Sequence, residues 1–294
     1  MAEKLFERVA IIGIGLIGSS LARVIRRDSA KTHIVACARR AETLDAVRRL
    51  KIADETTDDP AAAVAGADLV VIATPLSAYA EIAAKIAPAL KDGAIITDVG
   101  SVKEAAIRDL SPALRDGVHL VPGHPVAGTE RSGPEAGFAE MFLDRWCILT
   151  PLPDTAPGAL AKVTALWQLA QMKVVTMPAE HHDRVLAMTS HLPHLIAYTI
   201  VGTANALGDD LKSEVIAFSA GGFRDFTRIA ASDPVMWRDI FLNNREAVLD
   251  VIQRFSEDLT ALQRAIRRGE GDTLEDWFIR TRAIRRSVIE AKQA

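Results

Sequence analysis

Short apolar runs alternate with amphipathic stretches from Val9 to about Met177. Several runs are uninterrupted and β-branched, such as residues 69–73, which is typical of strands covered on both faces. The pattern predicts strands over residues 9–12, 33–38, 68–73, 94–99, 119–121, 146–150 and 174–177. The helical period predicts helices over residues 16–27, 42–50, 79–90, 102–114 and 159–171. This alternation indicates a parallel sheet with helices on both faces, an α/β architecture.

The alternation stops after Pro178, and long helical segments follow. They are predicted over residues 180–190, 193–206, 234–267 and 273–292. In the third segment, apolar residues recur at steps of three and four over an unusually long span, and such a stripe packs against several helices or another subunit. We therefore expect an α/β domain over residues 1–178 and an all-helical dimerisation domain over residues 179–294.

Composition narrows the range of partners and locations. With 35 basic and 38 acidic side chains among 294 residues, the net charge is −3, which gives no electrostatic reason to expect nucleic acid or an anionic membrane. The longest apolar stretch, residues 9–21, is too short to span a bilayer, and the first eight residues lack the order of a signal peptide. Cys37 and Cys147 offer neither a disulfide framework nor metal-ligand spacing. We expect a cytoplasmic protein with buried, inert thiols.

The motif Gly13-Ile14-Gly15-Leu16-Ile17-Gly18 follows the first predicted strand and opens the first helix. The first glycine allows a tight turn, the second lets the backbone approach a pyrophosphate, and the third permits close packing of helix on sheet. The helix N-terminus receives the negative charge. In this strand-turn-helix context the motif predicts a Rossmann-like dinucleotide site rather than a purely structural turn.

Two arginines stand where a dinucleotide-binding domain places its ribose contact. An Asp or Glu at the end of the second strand would bind the 2′-hydroxyl of NAD. The chain has Ala38, Arg39 and Arg40 there, and guanidinium groups suit the 2′-phosphate of NADP. NADP is the preferred cofactor. The alternative is that both arginines are solvated loop residues and that NAD binds without an acidic partner.

Two further strand ends face the expected cofactor. Thr74 and Pro75 end the strand past which the nicotinamide would lie. The segment Asp98 to Lys103 likewise ends a strand, and its Ser101 either caps the next helix or faces a ligand, with capping the simpler interpretation.

His124 lies just past another strand end, between Gly123 and Pro125. This edge is where α/β sheets bind ligands, and a neutral imidazole there can accept a proton near pH 7. A loop histidine that only forms structural hydrogen bonds is the equally open alternative.

A cluster of histidines marks the change of fold and includes His191 and His194. The two could share a helical face, although Pro193 between them breaks or starts a helix. Metalloprotease spacing and neighbouring cysteines are absent from the sequence, so we expect no metal site. We expect the histidines to bind an anionic or polar substrate.

Arg228 follows the glycine pair Gly221-Gly222. Its guanidinium could bind a carboxylate, and an ion pair with Asp225 is the alternative.

Taken together, these segments resemble the prephenate and arogenate dehydrogenase family of tyrosine biosynthesis, and the resemblance covers nearly the whole chain. The motifs that carry it are residues 13–18, 98–103, 124–130, 191–194 and 221–237. It implies a nucleotide-binding N-terminal domain, a helical dimerising C-terminal domain, and NAD(P)-dependent oxidative decarboxylation of prephenate, arogenate or both.

The resemblance also implies roles for individual residues. His124 would accept the proton of the substrate's ring hydroxyl, and Ser101 would help orient that histidine or the hydroxyl. Arg228 would hold a substrate carboxylate, while His191 and His194 would complete the polar wall of the pocket. The sequence leaves the choice between prephenate and arogenate open.

Two other functions compete with this one. A β-hydroxyacid dehydrogenase of the 6-phosphogluconate type has a similar two-domain plan but would use a lysine base early in the helical domain, and residues 182–207 contain no lysine. A non-catalytic NADP-binding sensor would use its helical domain for association only.

Overall fold

The computed structural model describes residues 5–29, 31–206 and 221–290, with side chains to residue 286. The chain divides into two compact units, Met1–Arg245 and Glu246–Ala294. The first unit combines the sheets with the helices that directly follow Pro178, because these helices contact α/β elements. The domain limits of 1–178 and 179–294 stay a prediction.

The larger sheet has six parallel strands in the order β3-β2-β1-β4-β5-β6. Its strands are β1 (Arg8–Ile12), β2 (His33–Cys37), β3 (Glu55–Thr57), β4 (Leu69–Ile72), β5 (Ile95–Asp98) and β6 (His119–Val121). This is the doubly wound order, and it brings the carboxyl ends of β1 and β4 together where the strand order reverses. The predicted α/β architecture is confirmed.

A second sheet has the order β7-β8-β9, with β7 antiparallel to β8 and β8 parallel to β9. Its strands are β7 (Gly123–Pro125), β8 (Trp146–Leu149) and β9 (Lys173–Thr176). Every predicted strand is confirmed to within one residue at each end. Two strands were not predicted. β3 is short and polar, and β7 contains a glycine and a proline, which argue against a strand.

Helices cover both faces of the larger sheet. They are α1 (Leu16–Asp28), α2 (Ala41–Leu50), α3 (Pro60–Val64), α4 (Tyr79–Ile86), α5 (Lys103–Leu110) and α6 (Pro157–Leu169). Alternate strand residues supply two cores: Val9 and Ile11 pack with α1, α2 and α6, whereas Ala10 and Ile12 pack with α3, α4 and α5. Burial on both faces explains why the strands are continuously apolar. Cys37 and Cys147 are buried and free, as expected.

A long helical stretch follows the sheets. It consists of α7 (Ala179–Leu186), a π-helical turn (Ala187–His191) and α8 (Leu192–Asn205). Pro193 lies in the first turn of α8, where a proline is tolerated because no intrahelical donor is lost. This stretch is long and apolar enough to cross a membrane. Length and composition are weak evidence for a membrane span, because the core helix of a soluble protein meets the same two criteria.

The first unit continues with α9 (Gly221–Thr227) and α10 (Pro234–Asn243). The side chain of Asp233 caps α10 by accepting the N–H of Met236. The prediction of one helix over residues 234–267 is wrong, because α10 ends at Asn243, and Asn244 leaves helical geometry with its side chain bonded elsewhere.

The second unit contains α11 (Arg245–Arg268), apart from its first residue, and α12 (Gly271–Glu290). Its helices leave large apolar side chains exposed, namely Leu249, Leu259, Ile266, Phe278, Ile279 and Ile284.

Candidate active site

The glycine turn between β1 and α1 has the shape that a pyrophosphate requires. Gly13 has a φ of 93°, and a Cβ atom there would lie 2.4 Å from the carbonyl oxygen of Ala73. A Cβ on Gly18 would lie 2.2 Å from the carbonyl oxygen of Gly13, whereas one on Gly15 would meet nothing within 4 Å. The first and third glycines are therefore fixed by packing, and the second leaves open space at the helix N-terminus.

Other predicted cofactor residues lie around this turn. Leu16 and Ile17 are the first residues of α1, whose leading N–H groups have no partner within the helix. Thr74 directly neighbours Gly13, since its Cγ2 lies 2.8 Å from the hypothetical Cβ of that glycine, and Pro75 follows it with its ring exposed. The residues present fit a dinucleotide, whose phosphates the turn at Gly15 and the N-terminus of α1 would hold.

The end of β2 carries charges of both signs. Arg39 and Arg40 are exposed, and neither side chain forms a hydrogen bond or ion pair with another residue in the described ranges. Burial raises the pKa of Cys37 to about 11, and the carboxylates of Asp59 and Asp58 add to the rise. These carboxylates, which follow β3, therefore act electrostatically on the end of β2. Because Asp58 and Asp59 follow a different strand, the sequence around the end of β2 does not reveal them.

His124 is the middle residue of β7 and is only 8% exposed. Its Nδ1 lies 2.8 Å from Nε2 of His182, and Nδ1 of His182 lies 2.7 Å from Oδ1 of Asp183. His182 and Asp183 both belong to α7, so this helix holds the His124 imidazole through its Nδ1. His182 is a member of the histidine cluster, but it lies 58 positions from His124, and local sequence patterns do not pair residues so far apart.

Burial lowers the pKa of His124 well below its ordinary value, and the electrostatic influence of His182, Lys103 and His191 lowers it further. Burial also lowers the pKa of His182, although the hydrogen bond to Asp183 opposes this. The His124 imidazole is therefore neutral near pH 7, the form that can accept a proton.

A buried polar network lies behind His124. Nζ of Lys103 donates to Oδ2 of Asp98 at 2.5 Å and to the carbonyl oxygen of Gly123 at 2.6 Å. Tyr79 donates its hydroxyl to the same carboxylate oxygen at 3.1 Å, and the N–H of Gly123 donates to Oδ1. The network joins the end of β5 to the strand that carries the imidazole. The sequence assigned no role to Lys103.

Ser101 does not cap α5, so the simpler sequence interpretation of that residue is wrong. The carboxylate of Asp183 accepts the N–H groups of Lys103 and Glu104 at 2.7 and 2.9 Å, and it caps the helix from outside. Ser101 is half-buried, and its hydroxyl has no hydrogen bond within the described part of the chain. It is therefore free for a ligand.

His191 and His194 belong to one helical stretch. His191 is 1% exposed, with Nδ1 3.1 Å from Nδ2 of Asn244, while its buried Nε2 has no partner among the described residues. His194 stacks on Trp237 with ring centroids 3.7 Å apart, and its Nδ1 donates to the carbonyl oxygen of Ser190. Burial lowers the pKa of His191 to about 4.

Arg228 is paired with Glu130, not with Asp225. Its Nη1 lies 3.2 Å from Oε2 of Glu130, and both side chains are partly exposed. Asp225 instead lies beside Arg224. The interpretation of an Arg228–Asp225 pair is wrong because Glu130, at a distant position in the sequence, approaches the guanidinium more closely.

In the described ranges, no group of three or more His, Cys, Asp or Glu side chains could hold a metal ion.

Comparison with known proteins identifies the family. Residues 21–176 match the model of the prephenate dehydrogenase nucleotide-binding domain, and residues 178–280 match that of the prephenate dehydrogenase dimerization domain. A cyclohexadienyl dehydrogenase of Zymomonas mobilis is 44% identical over 93% of each chain. A prephenate dehydrogenase of Bacillus subtilis is 31% identical over 92% of this chain and 73% of its own.

Solved structures agree with this. The prephenate dehydrogenase of Aquifex aeolicus, in complex with hydroxyphenyl propionate and NAD+, is 34% identical with a TM-score of 0.89, covering 98% of this chain and 99% of that one. Synechocystis arogenate dehydrogenase is 26% identical with a TM-score of 0.79, covering 95% of this chain and 99% of that one.

These matches do not favour the 6-phosphogluconate-type dehydrogenase or the non-catalytic sensor. They agree instead with the resemblance carried by the glycine turn, the segment around His124 and the histidine cluster. The chain belongs to the prephenate dehydrogenase family and is an oxidoreductase of the prephenate and arogenate dehydrogenase type.

Proposed function

We propose that the protein oxidatively decarboxylates prephenate, arogenate or both, to 4-hydroxyphenylpyruvate and tyrosine respectively, with NADP as its preferred cofactor. The observation that carries this proposal is the environment of His124. Its imidazole is buried and neutral, and its Nδ1 is bonded to His182. The residue therefore has one ring nitrogen left for chemistry.

His124 acts first as a base and then as an acid. Its Nε2 takes the proton of the ring hydroxyl. A nicotinamide bound at the glycine turn would supply the hydride acceptor for the carbon that carries this hydroxyl. The resulting dienone loses its ring carboxylate as carbon dioxide, and the bonding electrons make the ring aromatic. The oxygen, now a phenolate, takes the proton back from His124. No net proton is released, and aromatisation supplies much of the driving force.

The remaining site residues bind and orient the substrate. Arg228 holds a carboxylate, and its exposed ion pair with Glu130 costs little to exchange for a substrate anion, because solvent already screens an exposed pair. His191 and His194 line the polar wall. Ser101, with its hydroxyl free, orients His124 or the substrate hydroxyl. Correct orientation supplies a large share of such catalysis.

The cofactor preference depends on the balance of charge at the end of β2. Arg39 and Arg40 are exposed and without ion-pair partners in the described ranges, which supports NADP through its 2′-phosphate. Asp58 and Asp59 oppose it electrostatically, and the Aquifex neighbour is complexed with NAD+, so NAD is the second candidate. The two arginines lie closer in sequence to the expected ribose position, and we give them precedence.

The protein acts as a cytoplasmic homodimer in this proposal. The exposed apolar side chains of α11 and α12 support association of two chains, as does the match of residues 178–280 to a dimerization domain. Two free, buried cysteines are compatible with a reducing compartment. Net charge gives no reason for nucleic acid or a membrane surface as a partner.

Steady-state rates with prephenate and arogenate, each with NAD and NADP, test this proposal in four combinations. We expect turnover with at least one substrate and a larger kcat/KM with NADP than with NAD. Absence of turnover in all four combinations would overturn the proposed reaction. A larger kcat/KM with NAD would overturn only the cofactor preference.

A further inference from the structure

We infer that Asp183 sets opposite tautomers in two histidines of the site, His124 and His191. Its side chain acts through His182, and its main-chain carbonyl acts through Asn244. His124 thereby presents a bare Nε2 that accepts a proton, and His191 presents an Nε2–H group that donates a hydrogen bond. The assignment of these two roles in catalysis rests on the proposed function, but the tautomers themselves do not.

The first chain starts at the carboxylate of Asp183. This group accepts the N–H groups of Lys103 and Glu104, and an ionised carboxylate can only accept. Nδ1 of His182, 2.7 Å from Oδ1, must therefore carry the hydrogen. In neutral His182 the other nitrogen, Nε2, is then an acceptor.

The consequence passes to His124. Its Nδ1 lies 2.8 Å from the accepting Nε2 of His182, so Nδ1 must donate. A neutral imidazole carries one hydrogen, and Nε2 of His124 is left with a lone pair. This nitrogen has no hydrogen bond to another residue in the described part of the chain. It is the atom that the proposed reaction needs as a base.

The second chain starts at the carbonyl oxygen of Asp183, which lies 2.8 Å from Nδ2 of Asn244. A carbonyl oxygen cannot donate, so the nitrogen end of the amide must face it, and this fixes which way the amide is turned. The second hydrogen of Nδ2 is then directed to His191, whose Nδ1 lies 3.1 Å away. Nδ1 of His191 must accept.

His191 is therefore the opposite tautomer of His124. Its hydrogen is on Nε2, which is buried and unpartnered in the described ranges. An unsatisfied buried N–H group destabilises the folded protein, and a substrate oxygen that accepts this hydrogen bond would recover the loss. Two residues of one chemical type thus face the substrate with different chemistry. Burial lowers the pKa of both, so both are neutral near pH 7 and the tautomer matters.

The tautomers can be read directly on the unmodified chain. In the full-length protein labelled with ¹⁵N in histidine, long-range ¹H–¹⁵N spectra at pH 7 distinguish protonated from bare ring nitrogens. Single replacements of each of the seven histidines assign the signals. We expect the proton of His124 on Nδ1 and that of His191 on Nε2, with and without NADP. The same tautomer in both residues, or the reverse assignment, would overturn the inference.

Paired variants of His182 test the first chain. In His182→Gln the amide oxygen can accept from Nδ1 of His124, and its NH2 group can donate to Asp183. His182→Leu can do neither. We expect kcat to fall by about 100-fold in the leucine variant and far less in the glutamine variant, with KM for the substrate little changed in both. The exposed His181, one residue earlier, is the matched control, and His181→Leu keeps the activity of the native protein.

Equal losses of kcat in the glutamine and leucine variants would argue for a bulk structural role and overturn the positioning role of His182.

Asn244→Leu tests the second chain. It should raise KM for the substrate about tenfold, with a smaller change in kcat, because the Nε2–H group of His191 is no longer fixed as the donor of one hydrogen bond to substrate. Asn243→Leu, which removes the neighbouring amide, is its control. An unchanged KM in Asn244→Leu would overturn that branch.

Failure of the inference and failure of the proposed function give different results. If neither prephenate nor arogenate is turned over, the proposed reaction fails, and the spectra of the native protein still decide the tautomers. If turnover is present but the spectra place the proton of His124 on Nε2, the reaction stands and the inference fails. The spectra also decide the inference if the leucine variants do not fold.

Discussion

Nζ of Lys103 lies 2.5 Å from Oδ2 of Asp98, and both side chains are fully buried. Burial lowers the pKa of this lysine, while the neighbouring carboxylate of Asp98 opposes the change. Removal of one member of a buried pair leaves the other charge uncompensated, which costs about 3–5 kcal/mol. We expect Lys103→Met to lower the free energy of unfolding by this amount in urea titrations.

Lys85 provides the matched control for that experiment. Its pair with Glu81 is exposed and spaced i,i+4 on α4, at 2.7 Å. Solvent screens such a pair, so Lys85→Met should change the free energy of unfolding far less than Lys103→Met does. If the two methionine variants lost equal stability, burial of the Lys103–Asp98 pair would not be the cause.

The base role of His124 leads to a kinetic prediction. His124→Asn should lower kcat by about 100-fold or more, because general base catalysis contributes about 10²–10⁴-fold. Cofactor affinity, measured by quenching of protein fluorescence, should persist because the glycine turn lies on β1 and α1. His181→Asn, at the exposed neighbour of His182, should leave kcat unchanged. Full activity in His124→Asn would remove this histidine from the mechanism.

Much of the fold could be predicted because burial dictates the pattern. Uninterrupted apolar strands such as Leu69–Ile72 and the glycine spacing at Gly13 follow from covered faces and close backbone approach, and both are local in sequence. The exceptions are informative. β7 contains a glycine and a proline, so local propensity argued against a strand there, although it pairs with β8 in the structure.

The polar support of the site could not be predicted from the sequence. His182, Asp183 and Asn244 come from α7 and from the end of α10, and they meet His124 and His191 only after the chain has folded. Ser101 was expected to cap α5 because serine is a common local cap, but a carboxylate from another helix takes that place. Local rules cannot anticipate partners that are far away in sequence.

The cofactor preference can be tested at Arg39. Arg39→Ser should raise KM for NADP far more than KM for NAD, since only NADP carries the 2′-phosphate. Arg282→Ser, at an exposed position on α12, controls for loss of a surface arginine. Equal changes in KM for the two cofactors would mean that Arg39 does not contact the phosphate.

Arg228 should affect binding more than turnover. Arg228→Ala removes the guanidinium that holds a carboxylate, and hydrogen bonds to charged groups contribute about 1.5–3 kcal/mol. We expect KM for prephenate to rise at least tenfold, with a smaller change in kcat. Arg224→Ala, at an exposed arginine beside Asp225, is the control. A fall in kcat at constant KM would contradict a binding role for Arg228.

The buried histidines make stability depend on pH. Burial lowers the pKa of His191 to about 4, whereas a histidine in the unfolded chain titrates near its ordinary value of 6.5. Between these values the unfolded state binds more protons than the folded state, so stability is fully present above about pH 6.5 and is lost as the pH falls toward 4. For this residue alone, the difference between the two pKa values corresponds to about 3 kcal/mol.

Urea unfolding at a series of pH values tests this dependence. The free energy of unfolding should therefore fall less steeply with decreasing pH in His191→Gln than in the native protein. His181→Gln, at an exposed histidine, should keep the native dependence, and an unchanged slope in His191→Gln would show that folding does not lower the pKa of His191.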